Sequence, residues 1–399
     1  MKTKIIGLLL TVALTLGLLS SCVFITEFPF PTGSAEGNDD NLKDTIINVT
    51  GGDEYNVTIN SNGNQNMLAA SKALLSVVSV TTSSSAGSGV IYQLDKEKGD
   101  AYIITNYHVL YQNKTASISD KINVYLYGME AAEYAIPATY VGGSMNYDLA
   151  VIRVRTNTTL MGSNAMAATI ADSDKVAILD TAIAIGNPEA EGISATTGCI
   201  NVDSENIIVE FQSLSASKQV QLRVMRTDAA VNSGNSGGGL FNDKGELIGI
   251  VNAKNASSTT DNIGYAIPSN VAKAIAQNII DYCAETNKTS VYRCMLGITV
   301  SVKSLSTKYD TESGKIFKLE EVFVSELTDN SSVAGKIYKN DVINSISING
   351  EKTAVTRTFH VVDTMLNARV NDTVIINVTR NGASVDVTIP IVESMLTQY

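Results

Sequence analysis

The sequence predicts a mostly β chain in which two β-barrels are followed by a small α+β domain. Short β-prone runs, broken by Gly, Asn and Asp, recur over residues 67–251, a spacing typical of barrels rather than βαβ units. One segment with apolar residues at helical spacing follows them, and two Asn-Gly hairpin signals lie in the C-terminal quarter. A chain of 399 residues allows two or three domains, each able to bury a core.

The N-terminus has the pattern of an export signal. Two lysines precede an apolar stretch over residues 5–19, which is too short to span a bilayer comfortably. Cys22 follows two serines directly, and this arrangement resembles the bacterial lipobox, whose cysteine is acylated. We predict a lipoprotein signal peptide over residues 1–22 with lipidation at Cys22, which gives stable membrane anchoring. A plain signal peptide with an incidental cysteine is the alternative.

Residues 23–66 are rich in Gly, Asn, Asp, Ser and Thr, with few periodic apolar positions, and predict a flexible polar tether. Within it, residues 46–49 and 55–57 are β-prone enough for weak local pairing. The first folded domain is predicted over residues 67–288, with β structure from its start.

The strands of that domain are predicted from runs of β-branched and aromatic residues. They are Gly89–Tyr92, Ala101–Thr105, Ile122–Tyr127, Leu149–Val154, Val176–Ile185, Ile207–Phe211, Val220–Met225 and Leu247–Val251. Apolar residues then recur at helical spacing over residues 270–283, which predicts a helix with Ser269 as its N-cap.

The last domain is predicted over residues 294–395. Its hairpin turns are expected at Asn349-Gly350 and Asn381-Gly382, because Asn-Gly favours two-residue β-turns. Residues 358–369 predict a short helix between them.

Composition excludes several classes of function. The net charge of −11 disfavours binding to nucleic acid and to anionic lipid headgroups, since both need a positive surface. With two histidines and no Cys-x-x-Cys pair, the sequence predicts no metal site and no cofactor. Cys283 and Cys294 allow either a disulfide or two buried thiols.

The segment 232–240 carries the clearest chemical signal. A run of small residues centred on Ser236 predicts a tight turn with room for a substrate carbonyl. The oxyanion hole is predicted at Gly234, Asn235 and Ser236, with the N–H groups of the first and last converging on one oxygen. Alone, the motif would indicate only a serine in a glycine-rich turn; a phosphate-binding loop is excluded because no Lys follows the glycines.

A serine nucleophile needs a base and a group that orients the base. His108 follows a predicted strand, whereas His360 lies in the distant last domain, so His108 is the predicted base. Asp148, at the start of an apolar strand, is the predicted acceptor for the imidazole. The order His, Asp, Ser is that of chymotrypsin-like proteases.

Several segments resemble the HtrA/Deg family of trypsin-like serine proteases, in matching order over about residues 69–392. They are Gly87–Val90, Thr105–Val109, Tyr147–Val151, Thr227–Gly238, Gly245–Ile250 and Gly264–Asn270. The resemblance implies a chymotrypsin-like double β-barrel protease domain with catalytic residues His108, Asp148 and Ser236, followed by one PDZ domain. It also implies a homotrimer and a regulatory loop over residues 204–217.

The family further implies a cell-envelope endopeptidase that cleaves unfolded or damaged proteins in protein quality control. With the lipidation at Cys22, this predicts a lipid-anchored enzyme on the extracytoplasmic side, in the periplasm or on the cell surface. In such proteases the residue six before the nucleophile lies at the base of the primary pocket. Here it is Ala230, uncharged, which favours small or medium aliphatic substrate residues. The pocket strand is predicted at Ile250, Val251, Asn252 and Ala253.

Met295, Leu296, Gly297 and Ile298 resemble the carboxylate-binding loop of the family's PDZ domain, which captures peptide C-termini and adds the peptide as a strand. Asn340 departs from the usual Gly of a later turn, although Asn tolerates left-handed conformations. For His360, ligand contact and a partly exposed surface position are both open, and the second is favoured.

Two alternative functions agree with part of these predictions. A peptide-binding chaperone or regulator would retain the fold without turnover. An envelope adhesion or scaffold lipoprotein would use the last domain alone and would not react with an organofluorophosphonate.

Overall fold

The structure is a computed structural model that describes residues 45–49, 55–59, 65–212, 217–253, 263–284 and 289–398. These residues belong to the second of two compact units, Thr45–Tyr399. The predicted signal peptide, with Cys22, lies outside the described residues, as does most of the predicted tether. Among the described helices, none has the length and apolar character needed to cross a membrane.

Strands dominate the described chain. The helices are α1 (Gln65–Leu74), α2 (Tyr107–Leu110), α3 (Thr158–Gly162), α4 (Ser269–Cys283) and α5 (Thr358–Met365). The strands are β1 (Thr45–Val49), β2 (Tyr55–Ile59), β3 (Val77–Thr82), β4 (Ala86–Asp95), β5 (Asp100–Thr105), β6 (Tyr111–Gln112), β7 (Ser117–Ile118), β8 (Ile122–Leu126), β9 (Ile136–Ser144), β10 (Leu149–Val154), β11 (Thr181–Gly186), β12 (Ser194–Gln212), β13 (Ser217–Thr227), β14 (Gly239–Phe241), β15 (Leu247–Asn252), β16 (Gly264–Pro268), β17 (Tyr292–Cys294), β18 (Ile298–Asp310), β19 (Lys315–Leu327), β20 (Val342–Ile348), β21 (Glu351–Ala354), β22 (Thr373–Arg380), β23 (Ala383–Pro390) and β24 (Leu396–Gln398). Short 3-10 turns lie at Ala132–Tyr134, Ser173–Lys175, Pro188–Ala190 and Glu393–Met395.

The start of the described chain contains the local β pairing that the sequence predicts and a helix that it does not predict. β1 and β2 pair antiparallel inside the segment expected to be a tether. Strand structure from residue 67 was a wrong prediction, because α1 extends to Leu74 through a run rich in Ala and Leu, which favour helix. Ala69 and Ala73, one turn apart, are both buried, so this face of α1 packs against the core.

Two closed barrels follow, and they confirm the mostly β fold class. The first has strand order β10-β5-β4-β3-β8-β9 and the second β11-β12-β13-β16-β15-β14. All eight predicted strands overlap an observed strand, but Val176–Ile185 is a strand only from Thr181. The carboxylate of Asp180 accepts the N–H of Ala177 at 2.9 Å, and this local bond holds the preceding residues in a turn.

Helix α4 packs against both barrels through Val271, Ile275 and Ile279, which are buried as the spacing predicts. Its N-cap is Pro268, and the hydroxyl of Ser269 instead donates to the carbonyl of Ala171 at 2.7 Å. The prediction that Ser269 caps α4 was therefore wrong, and its side chain ties the helix to the segment before β11.

The C-terminal unit has the sheet order β18-β19-β20-β22-β23, with β21 paired to β20. Asn349-Gly350 and Asn381-Gly382 have positive φ at both residues and join β20 to β21 and β22 to β23, which confirms both hairpins. Asn340 has a φ of 73°, the left-handed conformation expected for it. The predicted helix is shorter than expected, since α5 ends at Met365.

Free thiols, not a disulfide, are found at Cys283 and Cys294. Burial raises the pKa of Cys294 to about 11, so this thiol is protonated at neutral pH. The segment predicted as a regulatory loop, residues 204–217, contributes to the paired ends of β12 and β13, apart from residues 213–216, which lie outside the described chain.

Ion pairs join the second barrel to the C-terminal unit. Arg223 on β13 pairs with Asp363 on α5, and its guanidinium lies 4.0 Å from the ring centre of Phe359. Arg357, just before α5, bonds Asp203 on β12 at 2.8 Å. These side chains are largely buried, so loss of one partner would leave a buried charge unpaired and would destabilise the chain more than loss of an exposed pair.

Asp363→Asn is expected to remove a pH dependence of stability. Burial raises the pKa of Asp363 to about 6, above its ordinary value of 3.8, although Arg223 opposes the shift. The folded chain therefore binds more protons than the unfolded chain between these values, and this stabilisation, complete below about pH 4, is lost as pH rises through 6. Thermal unfolding from pH 4 to 8 should show the wild type losing about 2 to 3 kcal/mol relative to the variant.

Asp329→Asn is the matched control, because Asp329 is exposed. A stability difference between wild type and Asp363→Asn that stays constant over this range would contradict the prediction.

Candidate active site

The ends of two paired strands bring His108 and Asp148 together. β5 and β10 pair with Ala150 opposite Thr105, so the residues just after β5 meet those just before β10. The N–H of Tyr107 donates to the carbonyl of Asp148 at 3.2 Å, and this bond joins the segment after β5 to the segment before β10. Both predicted residues therefore lie at the same rim of the first barrel.

The carboxylate of Asp148 is fully buried and accepts three hydrogen bonds. The backbone N–H of His108 donates to Oδ1 at 2.9 Å, and Nδ1 of its ring lies 2.7 Å from Oδ2. Nδ2 of Asn252 donates to Oδ2 at 2.8 Å. Because a carboxylate only accepts, the ring proton sits on Nδ1 in this pair and Nε2 is left as an acceptor.

Asn252 links the two barrels at this point. It lies at the end of β15 in the second barrel, whereas Asp148 belongs to the first. Sequence reasoning placed Asn252 in the substrate pocket and missed this contact. No local pattern signals it, because the two residues are 104 positions apart.

Ser236 lies in the turn before β14, and its side-chain oxygen accepts the N–H of Ala253 at 3.2 Å. Among the described residues, no hydrogen bond joins this oxygen to the ring of His108. Proton transfer to Nε2 therefore requires the hydroxyl and the imidazole ring to move into hydrogen-bond contact. Catalytic hydrogen bonds are often long or poorly aligned in the absence of substrate and tighten when it binds.

The turn around Ser236 leaves two amides free. The carbonyl of Ser233 accepts the N–H of Glu189 at 2.8 Å, and that of Asn235 accepts the N–H of Gly238 at 2.9 Å. In a trans peptide the N–H points opposite to the carbonyl, so the N–H groups of Gly234 and Ser236 point away from these partners. Neither donates to another group in the described part of the chain.

Asn235 differs from its two neighbours in the predicted oxyanion hole. Its N–H donates to the carbonyl of Asn232 at 3.0 Å and so is already engaged. Its side chain is buried, with Oδ1 unpaired among the described residues. Of the three residues predicted to form the oxyanion hole, only Gly234 and Ser236 therefore have a free amide in the described chain.

The predicted pocket residues lie in different environments. Ala230 is exposed, and its carbonyl accepts the hydroxyl of Thr196 at 2.9 Å. Ile250 and Val251 are fully buried in two hydrophobic clusters, so their side chains belong to the core. In the predicted pocket strand, Ala253 contacts the side-chain oxygen of the predicted nucleophile through its N–H.

A carboxylate near the pocket is already engaged. Asp228, two residues before Ala230, accepts the backbone N–H of Cys199 at 2.6 Å. This hydrogen bond lowers the pKa of Asp228. Burial, and after it the negative charge of Asp228, raises the pKa of the Cys199 thiol.

The loop 295–298 presents amides at one end of β18. The N–H of Met295 donates to the carbonyl of Met395 at 2.8 Å, and the carbonyl of Gly297 accepts the N–H of Thr328 at 2.9 Å. Within the described chain, the N–H groups of Leu296 and Gly297 have no acceptor. A cavity of about 310 Å³ lies beside them, lined by Met295, Gly297, Thr328, Asn330, Ser332, Ser394, Met395 and Thr397.

His360 is neither exposed nor placed at this loop. It is 8% exposed, its Nδ1 accepts the N–H of Thr356 at 3.2 Å, and its Nε2 lies 3.7 Å from Asp174 in the 3-10 turn before β11. Burial lowers the pKa of His360. The favoured prediction of a surface histidine was wrong, because α5 faces the barrel on this side.

Comparison with known proteins identifies the family. A family model for a trypsin-like peptidase domain matches residues 87–250. The serine protease Do-like HtrA of Lactococcus lactis subsp. cremoris (strain MG1363) is 32% identical over 315 residues, which cover 75% of this chain and 69% of that protein. The chain belongs to the HtrA family of serine proteases.

Further relatives agree with this membership. The periplasmic pH-dependent serine endoprotease DegQ of Escherichia coli (strain K12) is 32% identical over 266 residues, 65% of this chain and 50% of that protein. The solved structure of the HtrA-type protease AlgW with a tripeptide is 27% identical, with a TM-score of 0.52, and covers 84% of this chain and 98% of that one. This HtrA-family chain is a serine endopeptidase with a trypsin-like protease domain.

Gly237→Ala is expected to destabilise this HtrA-family protease and to abolish its activity. Gly237 has a φ of 85°, and an added Cβ would lie 2.2 Å from the carbonyl oxygen of Ser88. The combined strain should cost more than about 3 kcal/mol, measured by urea unfolding.

Gly128→Ala is the control that separates the strain of a positive φ from the steric clash of an added Cβ. Gly128 also has a positive φ, 76°, but an added Cβ meets nothing within 4 Å. It should cost only about 1 kcal/mol and leave activity intact. Equal losses of stability and activity in the two variants would contradict the conclusion that crowding around Gly237 causes the loss.

Proposed function

We propose that this HtrA-family endopeptidase cleaves unfolded or damaged proteins in the cell envelope by acyl-enzyme catalysis, with His108, Asp148 and Ser236 as its catalytic triad. The observation that carries the proposal is the buried hydrogen bond from the ring of His108 to Asp148 beside a serine whose loop has two free amides. Relatives named serine endoproteases support the reaction class.

In the proposed mechanism, Nε2 of His108 takes the hydroxyl proton of Ser236 as its oxygen attacks the substrate carbonyl. Asp148 keeps the ring oriented and stabilises the imidazolium. The amides of Gly234 and Ser236 bind the oxyanion, each contributing about 3 kcal/mol in the transition state. His108 then protonates the leaving amine, and water attacks the acyl-enzyme by the same route.

A preference for small or medium aliphatic residues before the cut is part of the proposal. It is supported by the uncharged side chain of Ala230 and by the engagement of Asp228 with the amide of Cys199, which leaves this carboxylate poorly placed to pair with a basic substrate. Fluorogenic peptides with Val or Ala at this position should be cleaved faster than the matched Lys peptide, and the reverse order would refute the preference.

Ser236→Ala should abolish proteolysis without unfolding the chain. The removed oxygen accepts a single described hydrogen bond, from Ala253, so the thermal midpoint should barely change. Casein cleavage should fall by about 10⁴-fold or more, with loss of fluorophosphonate labelling.

Ser233→Ala is the control, since Ser233 lies in the same loop with an exposed side chain. It should retain activity and labelling. Proteolysis retained by purified Ser236→Ala would refute the nucleophile assignment.

The C-terminal unit is proposed to be a PDZ domain that binds the C-termini of substrates or regulatory peptides. Free amides at Leu296 and Gly297 suit a terminal carboxylate, and β18 is an edge strand to which an extended peptide can pair. The loop lies beside a cavity that can take the last side chain of the peptide.

Gly297→Ala should weaken peptide binding by about tenfold or more, equivalent to about 1.4 kcal/mol. Gly297 has a φ of 70°, and an added Cβ would lie 2.7 Å from Cα of Ser331, so the amides must shift. Fluorescence polarisation with a labelled hydrophobic peptide measures the change. Gly335→Ala, with a φ of 77° and open space around it, should bind normally. Equal binding of the free-acid and amidated peptides would argue against carboxylate capture.

Anchoring and assembly complete the proposal. Cys22 is proposed to carry the lipid, and Cys22→Ala should release the chain from the membrane fraction; a variant that stays bound would refute the anchor.

A homotrimer is proposed from the family resemblance, and light scattering on the chain without residues 1–66 should give three copies rather than one. N-terminal profiling of envelope proteins, compared between the wild type and Ser236→Ala, tests the proposed role in quality control.

A further inference from the structure

Ser88 connects the first barrel to the loop that carries Ser236. It lies in β4 and is fully buried. Its hydroxyl donates to the carbonyl of Gly234 at 2.8 Å and accepts the N–H of Asn187 at 2.8 Å. Because a carbonyl only accepts and a backbone N–H only donates, the direction of both bonds is fixed. The N–H of Ser88 also donates to the carbonyl of Ser236 at 2.8 Å.

Asn187 is a second anchor from the same side. It is 3% exposed, its Nδ2 donates to the hydroxyl of Ser79 on β3 at 2.6 Å, and its Oδ1 accepts the N–H of Gly192 at 2.8 Å. These bonds close the loop 187–192 and fasten it to the first barrel. From this loop, the N–H of Glu189 reaches the carbonyl of Ser233.

These contacts determine which way the peptide groups of the turn face. The carbonyls of Ser233, Gly234 and Asn235 bond Glu189, Ser88 and Gly238, respectively. With each carbonyl held, the N–H groups of Gly234, Asn235 and Ser236 face the other way. The hydroxyl of Ser88 holds the middle peptide group, between Gly234 and Asn235, which joins the two free amides. An added Cβ on Gly234 would lie 2.2 Å from the carbonyl oxygen of Asn187, so the turn has little room to adopt another arrangement.

We propose that Ser88, with Asn187, is a positioning residue for the oxyanion hole. Ser88 fixes the peptide group that joins the two free amides. Asn187 fixes the loop from which Glu189 holds the carbonyl before Gly234. Together they keep the N–H groups of Gly234 and Ser236 aimed at the oxygen that becomes negative in the tetrahedral intermediate. This inference rests on the proposed function, because it assigns a role to the same site. Since both residues act through the turn, their loss weakens binding of the transition state and leaves substrate binding largely intact.

The test compares Ser88→Ala with Ser76→Ala in the full chain. Ser76 is a matched control, because it is also buried and its hydroxyl makes one bond, to the carbonyl of Ala73 at 2.7 Å, away from the turn. Ser88→Ala should lower kcat for a fluorogenic peptide by about 10- to 100-fold, with KM within about twofold. Its affinity for a peptide aldehyde, which forms a tetrahedral adduct with the serine, should fall in parallel.

Ser76→Ala should keep wild-type values of kcat and aldehyde affinity while losing a similar amount of thermal stability. Ser88→Thr retains the hydroxyl and should restore most of kcat. If Ser88→Ala is not recovered folded, Asn187→Ala must show the same selective loss of kcat.

The outcomes separate this inference from the proposed function. Unchanged kcat in Ser88→Ala, a rise in KM alone, or equal kinetics in Ser88→Ala and Ser76→Ala would each overturn the positioning role in an active enzyme. A wild-type chain that neither hydrolyses peptides nor reacts with a fluorophosphonate would overturn the proposed function, and the positioning role with it.

Discussion

The buried carboxylate of Asp148 is the group on which the arrangement of the site depends. An isolated charge buried from water is very costly unless hydrogen-bond donors surround it. Its donors come from His108 in the first barrel and Asn252 in the second. The two barrels must therefore keep their relative position for the carboxylate to keep its hydrogen bonds. The same packing places Ala253, the residue after Asn252, beside Ser236.

The C-terminal unit is joined to the protease domain by buried charges as well as by apolar packing, since Leu366 belongs to the same hydrophobic cluster as Val271 and Ile275. Arg223 and Arg357 each bond a carboxylate across the contact, and His360 is buried next to Asp174. Directional contacts of this kind fix the orientation of α5, which carries Asp363. Movement of the C-terminal unit would require several buried groups to lose their partners together.

Much of the fold and the positions of the main site residues could be predicted from the sequence, because short segments encode them. Strand runs, the two Asn-Gly turns and the glycine-rich segment around Ser236 are local patterns. The contacts of Ser88 with Gly234 and of Asn252 with Asp148 could not be predicted, because each joins residues more than one hundred positions apart. The remaining errors have local causes: helix-forming residues override a strand prediction in α1, and the side chain of Asp180 holds a turn where a strand was expected.

The division of these contacts between the barrels limits how the protein can be recombined. A chimera that takes its first barrel from one relative and its second from another must keep both halves of each pair that crosses the boundary, Asp148 with Asn252 and Ser88 with the turn at Gly234. Preserving the hydrophobic residues of each half does not by itself preserve these pairs. Substitutions in one barrel are therefore constrained by its contacts with the other barrel, even at positions that no substrate reaches.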